Sequence, residues 1–151
     1  MAKFNIIMQF LKDFSFESPN APELFFKNDN QSSKMEIGID MRVQGADNNL
    51  YMVDLIVKTH AKLDKDDKTI FLIETTYSGL VQMEEEKDED AKKRTLLIDV
   101  PTLLFPAVRA LITRMTSESG FPPFTLQPVD FEQLYEQKKS GATSAQQPAN
   151  Q

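Results

Sequence analysis

The sequence predicts an α+β domain: a four-stranded antiparallel sheet followed by a long helix and a shorter C-terminal helix. Three observations point to it. The first half alternates apolar and polar residues at a period of two, the runs are joined by short connections rich in turn residues, and the second half switches to helical spacing. At 151 residues the chain suits one domain, and 40% hydrophobic residues with eleven Phe are enough to pack a core.

In the first strand, Phe4, Ile6, Met8 and Phe10 alternate with Asn5, Ile7 and Gln9, and Phe14 and Phe16 alternate with Asp13, Ser15 and Glu17. Residues 18–22 (SPNAP) stop this strand by turn chemistry. Met35, Ile37, Ile39, Met41 and Val43 mark a second strand, which ends at the turn residues 45–49 (GADNN). Tyr51, Val53, Leu55 and Val57 mark a third, the charged residues 64–68 turn the chain, and a fourth spans 69–81. Hairpin connections between the strands are the natural expectation. Residues 83–93 (MEEEKDEDAKK) read as an exposed crossover loop.

Leu104, Val108, Leu111, Ile112 and Met115 then fall at i, i+4, i+7, i+8 and i+11, one apolar stripe on a helix. Pro106 belongs in or near its first turn, or else kinks it. Gly120 supplies a stop, and residues 121–124 (FPPF) form a stiff apolar linker expected to pack down. Asp130 and Gln133 make a capping box for the last helix, with Val129 and Leu134 placed for a hydrophobic staple. The folded domain is expected to span 1–138, and 139–151, small and polar, to be a disordered tail.

Composition excludes several functions. Twenty-three acidic against 17 basic residues give a net charge of −6, which disfavours nucleic acid as a partner. With no Cys there is no disulfide, thiolate metal site or cysteine nucleophile. The apolar N-terminus is interrupted by Asn5, Gln9 and Lys12 without a cleavage site, and no apolar run approaches the ~20 residues of a membrane span. A soluble, cytoplasmic protein is expected.

Catalysis has little foothold. His60 is the one histidine, no G-x-S-x-G elbow exists for Ser78 or Ser15, and no phosphate-cradling glycine motif occurs. The acidic run of 84–90 lacks the alternating ligands and central Gly of a calcium loop. No metal, cofactor or catalytic residue is expected.

The surfaces are more informative. One helix layer covers one sheet face, yet the fourth strand carries apolar side chains on both: Phe71, Ile73 and Tyr77 on one, Ile70 and Leu72 on the other. Asp13 and Glu17 share one strand face, as do Leu72 and Glu74. If those faces coincide, they form an acidic patch with an apolar anchor; otherwise they are ordinary solvated positions. The helix stripe likewise reads as core or as a subunit interface.

Three blocks resemble a known family. Residues 12–22 (KDFSFESPNAP) are similar to the signature near the start of the SecB family. Residues 103–109 (LLFPAVR) resemble its L-F-P-x-[AV]-R helix. Residues 120–126 (GFPPFTL), together with Pro128, Val129, Asp130, Phe131, Leu134 and Tyr135, resemble its ending. The blocks keep the family's order and spacing over about residues 4–138. Departures are Asp99-Val100-Pro101, where the family often has Cys, and the charge-rich 84–93.

The resemblance implies an ATP-independent chaperone, a homotetrameric dimer of dimers, that holds non-native secretory precursors in hydrophobic grooves and delivers them to the SecA motor. It implies that Asp13, Glu17, Leu72 and Glu74 bind the zinc-containing C-terminal segment of SecA. Met35, Ile37, Ile39, Phe124 and Leu126 would line the client groove, and Leu104, Val108, Leu111, Ile112 and Met115 the helix between dimers. The alternatives are a chaperone dedicated to one partner such as an antitoxin, a small hydrolase using His60, and a purely structural oligomer.

Overall fold

The computed structural model describes residues 3–26 and 32–140, and the backbone of 146–149. Strands β1 (Phe4–Glu17), β2 (Ser33–Gly45), β3 (Leu50–Leu63) and β4 (Thr69–Met83) form an antiparallel sheet in the order β1-β4-β3-β2. A short helix α1 (Glu23–Phe26) comes after β1. After the sheet come α2 (Glu89–Arg94), a π-helical turn (Thr95–Asp99), the 19-residue α3 (Val100–Glu118) and α4 (Phe131–Lys139). The expected four-stranded sheet, long helix and short C-terminal helix are all present.

The connections differ from a run of hairpins. β2–β3 and β3–β4 are hairpins, and the first turns through Asn48 and Asn49, both at positive φ, a conformation Asn tolerates better than most residues. β1, however, pairs with β4 and not with β2. The turn after β1 explains the difference. Ser18 Oγ donates to the Ile70 carbonyl at 2.7 Å and Asn20 Nδ2 to the Thr69 carbonyl at 3.0 Å, which ties the end of β1 to the start of β4.

β1 also departs from strict alternation. Register shifts between Ile6 and Met8 and between Leu11 and Asp13 mark bulges, and each reverses the parity of the residues after it. Phe4, Ile6, Phe14 and Phe16 pack on the core, whereas Ile7, Met8 and Leu11 are exposed.

One face of the sheet is covered. α3 lies across β3 and β4, and Leu104, Val108 and Ile112 are completely buried with Val53, Leu55, Val57 and Ile73 in one cluster. Gly79 allows the closest approach, since a Cβ there would stand 3.2 Å from Leu104. By length and composition residues 89–118 could cross a membrane, but the stretch is amphipathic and its apolar face is the one that packs on the sheet.

The charged segment is not all loop. Asp88 caps α2 by accepting from the Asp90 N–H at 3.0 Å, with acids in the first turn and bases in the last, as the helix dipole prefers. The π-helical turn sits just before Pro101, which cannot donate a helical hydrogen bond, and Pro106 is accommodated inside α3, not in its first turn. At α4 the Asp130 cap accepts from the Gln133 N–H at 3.1 Å.

The segment expected to be a tail begins inside α4, which runs to Lys139. Its residues 146–149 form β5 (Gln146–Ala149), antiparallel to β2. Positions 141–145 and 150–151 lie outside the described residues.

Buried groups yield two stability predictions. The Thr59 and Thr75 hydroxyls are buried without a hydrogen-bond partner among the described residues. Thr59→Val keeps the shape and removes the unpaired hydroxyl, so urea denaturation should register a gain of about 1 kcal/mol. Burial also pushes the Asp99 carboxyl above its usual range, against the pull of Arg94. The native chain thus holds that proton more tightly than the unfolded chain, so ionisation costs stability above the folded pKa and the cost disappears below the unfolded one. Asp99→Asn should therefore raise the urea midpoint at neutral pH, and its advantage should vanish at about pH 3.

Candidate functional site

The uncovered face of the sheet collects the acidic residues. Glu17 stands opposite Leu72, Ser15 opposite Glu74 and Asp13 opposite Thr76, so Asp13, Glu17, Leu72 and Glu74 share the face away from α3. Leu72 and Glu74 are half-buried, Asp13 and Glu17 exposed. Asp13, Glu17 and Glu74 make no hydrogen bond or ion pair among the described residues. Lys12, which could have neutralised them, instead reaches the buried Asp54 at 3.2 Å, which also accepts from Ser78 Oγ at 2.5 Å. The result is a patch of three carboxylates around a leucine, bordered by Lys58 opposite Glu74 on β3, open to a basic partner with an apolar side chain.

A cleft of about 450 Å³ opens on the other face, at the strand ends. Met35, Ala61, Ile70 and Phe71 line one wall, and the linker from Phe121 to Thr125 the other. Phe121 packs at tilted angles among aromatics here, with ring centroids 5.1 Å from Phe25, 5.5 Å from Phe71 and 6.5 Å from Phe16. The linker is fixed from α3. Thr116 Oγ accepts the Phe124 N–H at 3.0 Å, and Thr113 Oγ donates to the Phe124 carbonyl at 2.7 Å. Phe26, beside this cluster on α1, is 79% exposed.

Of the five expected groove residues, Met35 and Phe124 line this cleft. Ile37, Ile39 and Leu126 do not line it; all five are buried members of the core cluster, so Met35 and Phe124 line it with little of their own surface exposed. A second cleft of about 870 Å³ opens at the far end of β2, with Met41, Val43, Leu96 and Leu97 among its apolar walls and Lys92 and Lys93 among its charges. β2 thus runs between two clefts.

The helix stripe divides. Leu104, Val108 and Ile112 are wholly buried in one cluster with the chain's own sheet. Leu111 and Met115 are partly exposed, and Leu103 is 55% exposed on the outer side. His60 bonds Thr69 Oγ1 through Nε2 at 2.8 Å, with no carboxylate partner among the described residues.

α4 is latched to α2. Arg94 donates to Glu132 at 2.7 Å and Glu136 at 2.9 Å, and Tyr135 OH to Asp90 at 3.2 Å. The Glu136 bond, more than Glu132, raises the Arg94 pKa against partial desolvation. Lys138, in the last turn, pairs with Asp40 on β2.

The spacing arguments miss Phe16, Phe25 and Phe121 as a cluster, because they come from three distant segments. The one available signal is the stiff apolar linker at 121–124, which had to pack on something. β5 has no signal at all, since a polar strand with a Pro resembles a tail.

Comparison with known proteins agrees with this architecture. A sequence model of the SecB family, described as "Preprotein translocase subunit SecB", matches residues 1–142. The protein-export protein SecB of Caulobacter vibrioides is 37% identical over 145 residues, covering 96% of this chain and 86% of that protein. That of Paramagnetospirillum magneticum is 35% identical, covering 97% and 92%. Among solved structures, the SecB-like chaperone of Mycobacterium tuberculosis, in complex with an antitoxin peptide, superposes with a TM-score of 0.68 at 14% identity over 83% of this chain and 90% of that one, a likeness of fold. With a match over nearly its whole length and relatives that align along most of both sequences, this chain belongs to the SecB family of protein-export proteins.

Proposed function

We propose that this protein is an ATP-independent export chaperone that holds non-native precursors in apolar clefts along β2 and hands them to SecA through its acidic sheet face. One observation carries this reading: the aromatic cleft and the carboxylate patch lie on opposite faces of one sheet. A client and a motor could then bind together without competing for the same side chains. The family's members are chaperones and not enzymes.

Holding many sequences calls for contacts that do not select among them. Apolar side chains contribute about 1.5–3 kcal/mol each when fully buried, and a strand edge offers backbone pairing to any extended chain. Met35 and Met41, one in each cleft, suit varied shapes because the thioether repacks. Six positions apart on β2, they are separated by about 20 Å at roughly 3.3 Å per residue, so an extended client could reach both. The Asp13–Glu17–Leu72–Glu74 patch offers the zinc-containing C-terminal segment of SecA negative charge and an apolar anchor. Assembly as a dimer of dimers would multiply grooves and raise effective concentration, and the partly exposed Leu103, Leu111 and Met115 supply apolar surface for packing α3 on a second copy. The setting that suits this work is the cytoplasm.

Two titrations test the reading. The zinc-loaded C-terminal peptide of SecA should bind the wild type, more weakly at high salt. The Asp13→Ala/Glu74→Lys double variant should lose about ten-fold or more, each charge-assisted contact being worth about 1.5–3 kcal/mol. No peptide binding by folded wild type would remove SecA from the account and leave a general or partner-dedicated chaperone. Phe121→Ala should weaken binding of a permanently unfolded polypeptide by up to about ten-fold, for about 1.5 kcal/mol of aromatic contact, and leave the SecA peptide affinity unchanged. Equal loss at both sites would contradict separate surfaces.

A further inference from the structure

We infer that the outer edge of β2 is a strand-addition site occupied, in the resting chain, by the chain's own C-terminal segment, and that an extended client binds there by displacing it. This rests on the reading of the protein as a holder of unfolded polypeptide, and deepens it by naming the resident competitor.

β5 runs antiparallel to β2 with Gln146 opposite Gly38, Gln147 opposite Ile37, Pro148 opposite Glu36 and Ala149 opposite Met35. It is therefore laid from the middle of β2 toward Met35, which lines the aromatic cleft. Its entry point is fixed. The Lys138–Asp40 pair holds the last turn of α4 to β2 two residues beyond Gly38, so the chain leaves α4 beside the edge on which β5 then pairs.

The sequence of the segment suits a competitor that must yield. Gln-Gln-Pro-Ala brings no large apolar residue to the edge. Pro148 stands opposite Glu36, whose backbone pairs with β3, so the N–H it lacks would face outward: β5 can pair with β2 but is restricted to an edge position. What remains is a few backbone hydrogen bonds, weak alone but made effective by a tether of only five residues between Ser140 and Gln146. Short tethers give effective concentrations in the millimolar range. A client that pairs with the same backbone and also places side chains in the clefts has contacts the tail lacks. A client without them does not displace the tail, so the tail sets a threshold for binding.

Full-length Gln147→Pro and Pro148→Val variants test this, the first removing an N–H that faces β2 opposite Ile37 and the second replacing Pro with a residue of higher strand propensity. Two readouts are needed: hydrogen exchange of the Met35–Gly38 amides that point away from β3, and affinity for reduced, carboxymethylated α-lactalbumin. Gln147→Pro should speed that exchange and lower the client Kd by at least about two-fold, because an edge occupied most of the time leaves less than half of the molecules open. Pro148→Val should slow exchange and raise Kd. Exchange that responds while client Kd stays constant in all three proteins would overturn displacement and leave the chaperone reading intact. Wild-type exchange as fast as that of Gln147→Pro would overturn occupancy itself. Failure of every form to bind the client would overturn the chaperone reading, and displacement with it.

Discussion

Leu104, Val108 and Ile112 lie at helical spacing on α3 and are buried to the last atom in one cluster with Val53, Leu55, Val57 and Ile73. Each such side chain contributes about 1.5–3 kcal/mol on burial, so this seam fixes which face of the sheet is inside. Every other surface is defined by it. The face opposite becomes the one where the exposed Asp13 and Glu17 and the half-buried Glu74 gather around Leu72. Because α3 covers mainly β3 and β4, the flanking β2 is left with openings at both ends.

The aromatic cleft depends on the same helix by a different route. Thr113 and Thr116 project from α3 and grip the Phe124 backbone from both its polar groups. The linker is thus held as a wall without filling the space behind it. Since the Thr116 hydroxyl is buried, leaving the Phe124 N–H without it would strand a donor away from water, a cost of about 1–3 kcal/mol. The wall of the cleft is therefore ordered by the fold itself.

Much of this is legible in the sequence, and the failures have physical causes. Strands β2, β3 and β4 announce themselves through parity, because one side of each is buried and the other is not. The shared faces of Asp13 with Glu17 and of Leu72 with Glu74 come from the same rule. Their alignment across two strands does not, since it depends on pairing β1 with β4 and on a bulge between Leu11 and Asp13 that no composition signals. The helical spacing of Leu104, Val108 and Ile112 is equally plain, but spacing cannot say whether a partner element or a partner subunit covers the stripe. Within the chain the sheet covers those three, and Leu103, one residue off the stripe, is left outside. The charge run 83–93 misleads for another reason: its acids and bases are segregated toward opposite ends of α2, which favours a helix that a composition average conceals.

The two bulges in β1 have a consequence at the scale of many molecules. An open sheet edge is a template on which extended segments, or further copies of the same sheet, can stack without end. Irregular backbone on β1 breaks the regular spacing of donors and acceptors at one side of the sheet. On the other side, Pro148 within β5 leaves the outermost strand short and missing a donor. The sheet is bordered on both sides by strands that are poor starting points for a fibre, so copies of the fold resist stacking edge to edge.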